Sequence, residues 1–268
     1  MGHPRRVAGP GLDAFLAELR DWVEAAHEPA ERFAYGPHPD QHADLRLPAG
    51  EGPHPVAVVL HGGFWRAAFT KANTEAIAVA LTRAGWATWN VEYRRVGAGG
   101  GFPETLDDVG AACDALRDVP VPLALDSCLA IGHSAGGQLA LWLAGEQLVR
   151  DAVALAGVCD LAAAEAAGLG GDAVAEFLGG APAHAPGAYT RADPSRRLPT
   201  GRGQLLVHGD LDDRVPLEQS TGYRDAARAA GDTCELLVLE GADHFDVIDP
   251  RSLAWPRILQ AVTALSGR

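Results

Sequence analysis

A serine held between two glycines, in Gly132-His133-Ser134-Ala135-Gly136, constrains this chain more than any other feature, because of what flanks it. Before it, Cys128-Leu129-Ala130-Ile131 is a short apolar run of the kind that forms a buried parallel strand. After it, Gly137-Gln138-Leu139-Ala140-Leu141-Trp142-Leu143-Ala144 reads as a largely buried helix. A chain passing from strand to helix within one such pentapeptide turns so tightly that the flanking positions tolerate no side chain. The serine hydroxyl is then left standing free above the sheet.

The rest of the chain alternates as such a joint demands. Strands are expected at about 43–47, 56–60, 87–93, 128–132, 152–156, 204–208 and 234–239. Helices are expected at 11–28, 73–85, 104–117, 217–230 and 255–265. The pattern predicts an α/β fold: a mostly parallel central sheet with helices on both faces, in one domain spanning 1–268. The length suits a single α/β domain, and 47% apolar residues supply its core. Residues 1–40 read as an N-terminal helix and arm, with Leu12, Phe15, Leu16, Leu19, Trp22 and Val23 making the helix amphipathic. The interval 158–202 breaks the alternation with an Ala-rich helical piece, a second piece at 172–178 and then a Pro- and Arg-containing loop.

A serine hydroxyl attacks a carbonyl only with a base to take its proton and an acid to orient that base. In chains with this elbow the order is nucleophile, acid, base. Asp212 follows the apolar run Leu205-Leu206-Val207, and His244 follows Cys234-Glu235-Leu236-Leu237-Val238-Leu239. Both lie just past strands, so one rim of one sheet can carry Ser134, Asp212 and His244. Asp210 and Asp213 compete for the acid role, and spacing favours Asp212. The strand Val56-Ala57-Val58-Val59-Leu60 runs into His61-Gly62-Gly63-Phe64-Trp65. Negative charge on a tetrahedral intermediate needs backbone N–H donors. Gly62, Gly63 and Ala135 are the candidates. His61 reads as a brace for the glycine turn, His208 as a residue packed or hydrogen-bonded below the acid loop, and Glu92 with Arg94 as a structural ion pair.

Other classes lose support. A formal charge of −13 disfavours nucleic acid and anionic membranes, which select basic patches. No run approaches the ~18 apolar residues of a membrane span. Met1-Gly2-His3-Pro4-Arg5-Arg6 lacks the apolar stretch of a secretory signal. Cys113, Cys128, Cys159 and Cys234 are widely spaced and read as buried thiols, and a reducing cytoplasm is the expected compartment. Gly97-Ala98-Gly99-Gly100-Gly101-Phe102 fails the dinucleotide pattern at Phe102. No metal or cofactor is expected.

On these residues the chain resembles the α/β-hydrolase superfamily over roughly 40–265. His61-Gly62-Gly63-Phe64-Trp65 is similar to the signature of kynurenine formamidases (arylformamidases) and small esterases. Asn90-Val91-Glu92-Tyr93-Arg94 with Phe102-Pro103-Glu104 and Asp107-Asp108 resembles the corresponding stretch of hormone-sensitive-lipase-like esterases, with Glu92 in place of the usual Asp. His208-Gly209…Asp212…Val215-Pro216 looks like the acid loop of prolyl-oligopeptidase-type domains. The resemblance implies a serine hydrolase, with a short cap at 158–202 and with Phe64 and Trp65 as substrate-binding candidates. It implies a small carboxylic ester as substrate, with N-formylkynurenine-like formamides as the alternative. A peptidase would lack the propeller that selects oligopeptides. An acyltransferase or lyase on the same triad, or a non-catalytic ligand-binding member, completes the alternatives.

Overall fold

Eight strands pair into one sheet in the computed structural model, which describes residues 10–267. The leader reading of Met1–Arg6 lies outside the described residues. The strands are β1 (Glu31–Ala34), β2 (His42–Arg46), β3 (His54–Leu60), β4 (Ala87–Val91), β5 (Leu123–His133), β6 (Asp151–Leu155), β7 (Gly203–Gly209) and β8 (Cys234–Leu239). Their order is β1-β2-β4-β3-β5-β6-β7-β8. β1 and β2 pair antiparallel, as do β2 and β4, and every other pairing is parallel. This is the expected α/β architecture.

Helices cover both faces because the strands are apolar on both. Ala57 and Val59 of β3, with Leu129 and Ile131 of β5, pack with α1 (Pro10–Ala26), α2 (Glu75–Arg83) and α9 (Trp255–Leu265). Val58, Leu60 and Ala130 face the other way, toward α3 (Glu104–Ala115), α4 (Ala135–Gly145) and α8 (Glu218–Ala229). The segment 158–202 folds as three short helices, α5 (Leu161–Ala166), α6 (Ala173–Leu178) and α7 (Pro186–Ala192), on that second face. Among the described residues no helix is long and apolar enough to cross a membrane. All four cysteines are buried and unpaired.

Three differences from the sequence reading have local causes. β1 is an edge strand with a largely exposed Glu-Arg-Phe-Ala sequence, so it carries no apolar alternation to read. α7 was expected as loop; Pro186 opens it at the first helical positions, where a missing N–H costs nothing, and Tyr189 anchors it in the core. β5 starts five residues early, in a half-exposed stretch (123–127) whose first two residues pair with His54 and Pro55.

Register fixes the site. Leu60 is level with Val91 and with Gly132, Gly132 with Ala154, and Leu155 with Val207. The carboxyl ends of β3, β5, β6, β7 and β8 therefore share one rim, where ligands of open α/β sheets bind. The elbow is where close packing dictates sequence. A Cβ on Gly132 would sit 1.9 Å from the Gly136 carbonyl oxygen, and one on Gly136 would sit 2.2 Å from that of Leu60. Neither position admits alanine.

Candidate active site

Ser134 adopts φ 55° and ψ −118°, a conformation that side-chain-bearing residues rarely hold and that costs ~1–3 kcal/mol. Its N–H is anchored to the Leu155 carbonyl at 2.9 Å, and its own carbonyl accepts the Gly137 N–H at 2.9 Å. α4 begins at the next residue. Ala135 opens that helix, so its N–H has no acceptor four residues earlier within it, and the positive end of the helix dipole lies beside the serine.

The loop after β7 brings Asp212 to His244. His244 Nδ1 lies 2.7 Å from Asp212 Oδ2. Asp212 Oδ1 accepts the backbone N–H groups of Arg214 at 2.8 Å and Val215 at 2.9 Å. Burial alone would raise the Asp212 carboxyl, but hydrogen bonds from His208 and His244 outweigh it and hold the group well below the usual range. The competitors are engaged elsewhere. Asp210 Oδ1 accepts the Gly241 N–H at 2.6 Å, while Asp213 lies at the surface beside Arg214 at 3.2 Å. His208 is fully buried with Nε2 2.9 Å from the Val215 carbonyl and 3.2 Å from Asp212 Oδ2, and Nδ1 2.7 Å from Ser220 Oγ. Two acceptors at Nε2 and a hydroxyl at Nδ1 place the ring proton on Nε2.

The glycine loop abuts the elbow. A Cβ on Gly62 would lie 2.7 Å from the His133 carbonyl oxygen and 3.0 Å from Ser134 Cβ. Gly63, Phe64 and Trp65 then follow one another at positive φ (110°, 52° and 54°), a tight left-handed run. His61 braces this turn. Its Nδ1 is 2.8 Å from the Gly62 carbonyl, its Nε2 2.9 Å from Glu92 Oε1, and the Tyr93 ring stacks on it at 4.2 Å. Burial acts to raise the Glu92 carboxyl, and the His61 hydrogen bond with Arg95 nearby brings it below its usual value. Glu92 and Arg94 do not pair with each other. Glu92 pairs with His61 and Arg95, whereas Arg94 pairs with Asp108 at 2.7 Å.

Phe64 and Trp65 separate. Phe64 lines a cavity of about 80 Å³ shared with Gly62, Gly63, Ser134 and His244. Trp65 turns into the core, 1% exposed, stacked on Phe177 at 4.6 Å and donating Nε1–H to Gln138 Oε1 at 2.9 Å. Trp65 is therefore no pocket residue, which corrects the expectation drawn from the resemblance. Trp65→Phe keeps the stacking but strands a buried amide oxygen. A loss of ~1–3 kcal/mol in urea unfolding is expected, with KM for substrate unmoved. A changed KM at unchanged stability would restore the pocket role.

The cavity's covering is a second correction. Its walls come from α1 (Leu12, Leu16), from 62–73 (including Phe69 and Asn73) and from Arg214 and 244–248, and not from 158–202. That segment meets the outer side of the site at Gly170, where a Cβ would lie 2.5 Å from Phe64 Cδ1.

His133, the variable position of the elbow, escaped sequence reasoning. Its Nε2 donates to the His244 carbonyl at 2.9 Å, pinning the loop that carries the candidate base. Burial, reinforced by the neighbouring His244, pushes its pKa down to about 3. A base depressed in the folded state binds its proton first in the unfolded state. Stability therefore falls as pH drops from 6.5 toward 3. Relative to His133→Gln, the wild type should lose up to ~1.4 kcal/mol per pH unit more across that window in urea titrations. Parallel curves would mean the imidazole is reachable by protons in the folded state. No local signal marks His133, because its partner lies 111 residues away.

Comparisons with known proteins agree with the fold and place the family. Among curated proteins none matches the chain by sequence. Solved structures of similar fold include a bifunctional GH43-CE protein of Bacteroides eggerthii (TM-score 0.75, 20% identity, 88% of this chain), of which the chain spans only 35%. Esterase B of Lactobacillus rhamnosis has a TM-score of 0.75 and 20% identity, over 96% of this chain and 94% of that one. An esterase of Thermogutta terrifontis has 0.71 and 22%, over 88% and 90%. At such identities the likeness is one of fold. A family model, that of the prolyl oligopeptidase family, matches residues 64–257. That span is well over half the chain and carries the elbow, the acid loop and the histidine loop together, so this protein belongs to the prolyl oligopeptidase family of α/β-hydrolases and is a serine hydrolase.

Proposed function

We propose that the protein hydrolyses small carboxylic esters, with Ser134 as nucleophile, His244 as base and Asp212 as the acid that orients it. The observation that carries this reading is the 2.7 Å contact between His244 Nδ1 and Asp212 Oδ2, behind a cavity lined by both Ser134 and His244. A proton on Nδ1 leaves Nε2 free to accept one from the serine hydroxyl. Ser134 Oγ then bonds to the ester carbonyl carbon, and the carbonyl oxygen takes the negative charge. The N–H groups of Gly62, Gly63 and Ala135 are the donors assigned to that oxygen. Collapse expels the alcohol, protonated by His244, and leaves an acyl-serine. Water, deprotonated by His244, attacks that ester in turn. The free carboxylic acid departs and Ser134 recovers its proton. His208 and the Arg214 and Val215 N–H groups keep Asp212 ionised throughout.

Arylformamide hydrolysis is the second reading, favoured by the aromatic side chains Phe64, Phe69 and Phe245 around the serine. Its other support, Trp65, is withdrawn into the core. The deciding experiment is kcat/KM for acetyl and butyryl nitrophenyl esters beside N-formylkynurenine, with Ser134→Ala as the blank. Ester turnover dominant over formamide turnover supports the first reading, and the reverse order replaces it with the second.

A further inference from the structure

Part of the cavity wall belongs to α1, the helix farthest in sequence from the residues assigned to catalysis. Its two apolar stripes do different things. Phe15 and Leu19, four residues apart, are buried against the core. Leu12 and Leu16, also four apart, are half-buried and line the cavity over Ser134. Residues at that spacing stand one above the other on a helix face, so the pair forms a continuous apolar surface two side chains long. α1 is tied to the segment after β8 by two contacts. The Phe15 ring packs against Phe245, the neighbour of His244, with centroids 5.9 Å apart, and Arg251 Nη1 reaches Glu18 Oε2 at 3.4 Å.

Size sets the consequence. The cavity measures about 80 Å³. That is well below the ~300–1,000 Å³ of pockets that enclose drug-sized ligands, so the space beside Ser134 suits a small group. A longer acyl chain entering it meets the Leu12 and Leu16 side chains. We infer that Leu12 and Leu16 are specificity-determining residues, whose side chains in the cavity wall favour esters of short acyl chains. The inference rests on the ester-hydrolase reading of the same site and names its substrate class.

The reasoning runs in both directions. Shortening the wall opens room for methylene groups that the wild-type cavity excludes, and each methylene that finds an apolar pocket discriminates by about 10–200-fold. Enlarging the wall removes room from chains that now fit. Leu12 and Leu16 are only half-buried, and the exchange leaves the fully buried stripe of α1, Phe15 and Leu19, intact.

The test measures kcat/KM for nitrophenyl acetate, butyrate, hexanoate and octanoate on wild type, Leu12→Ala/Leu16→Ala and Leu16→Phe. Rates are normalised to the serine titrated by a fluorophosphonate, and far-ultraviolet circular dichroism checks the fold of each variant. The double variant is expected to raise the octanoate-to-acetate ratio at least tenfold. Leu16→Phe is expected to lower the butyrate-to-acetate ratio severalfold. Ser134-dependent turnover with the same chain-length profile in all three proteins overturns the inference and leaves the ester reading standing. If the double variant does not fold, Leu16→Phe decides alone. Absence of Ser134-dependent turnover of every ester overturns the ester reading and the inference with it.

Discussion

Replacing Ser134 with alanine should lower kcat by roughly 10⁶-fold, to the level supplied by binding and the oxyanion donors alone. The size follows from how the groups are coupled. His244 and Asp212 have no proton to move once the hydroxyl is gone, so loss of the serine costs about as much as loss of all three. Ser134→Ala keeps a Cβ at φ 55° and hence keeps the backbone strain of the elbow. Ser134→Gly removes both hydroxyl and strain, and it should unfold at a higher urea midpoint, by ~1 kcal/mol, while being equally inactive. A pair of measurements thus separates catalysis from folding. Residual turnover above a hundredth of wild type in Ser134→Ala would place the nucleophile elsewhere. A Ser134→Gly protein less stable than wild type would mean that the hydroxyl contributes to the fold.

Asp212→Asn is expected to cost ~10⁴-fold in kcat, more than its near-isosteric shape suggests. Both carboxylate oxygens have fixed assignments. Oδ1 is claimed by two backbone N–H groups, which can be satisfied only by an oxygen. The asparagine nitrogen must therefore take the place of Oδ2, facing His244 Nδ1 at 2.7 Å and His208 Nε2 at 3.2 Å. A donor there forces the His244 proton onto Nε2, where the imidazole can no longer accept from serine. It also meets the His208 N–H head on, so the variant should lose stability as well. Asp213→Asn, changed at the exposed neighbour, should stay close to wild type in the same assay. Equal losses at 212 and 213 would refute the assignment of the acid.

The sequence makes the rim legible and the walls illegible, for physical reasons. Gly132, Ser134 and Gly136 announce themselves because backbone contacts of about 2 Å leave no other residue possible at the glycines. Asp212 and His244 can be read because strand ends alternate regularly and chain order is fixed by topology. His208 was legible as a residue below the acid loop because its partners Asp212, Val215 and Ser220 lie within 12 residues of it, whereas His133 was not, because its role depends on a hydrogen bond to a residue 111 positions away. Trp65 misled for a related reason. A tryptophan after two glycines and a phenylalanine looks poised over a pocket, yet three successive positive φ values swing it toward Gln138 and Phe177. The cap was placed at 158–202 by resemblance, whereas the covering side chains sit on α1. Its amphipathic pattern was evident, but periodicity cannot tell a core-facing stripe from one that faces a cavity.

The clasp between α1 and the loop after β8 has a bearing on how the molecule comes into being. Glu18 and Arg251 are 233 residues apart in sequence, and Phe15 and Phe245 almost as far. The cavity closes only when these segments meet, so its assembly waits on a contact of very high sequence separation, the slowest sort to form. Enzymatic rate during refolding would then appear late and all at once, making it a reporter for closure of the whole fold instead of for any one of its elements.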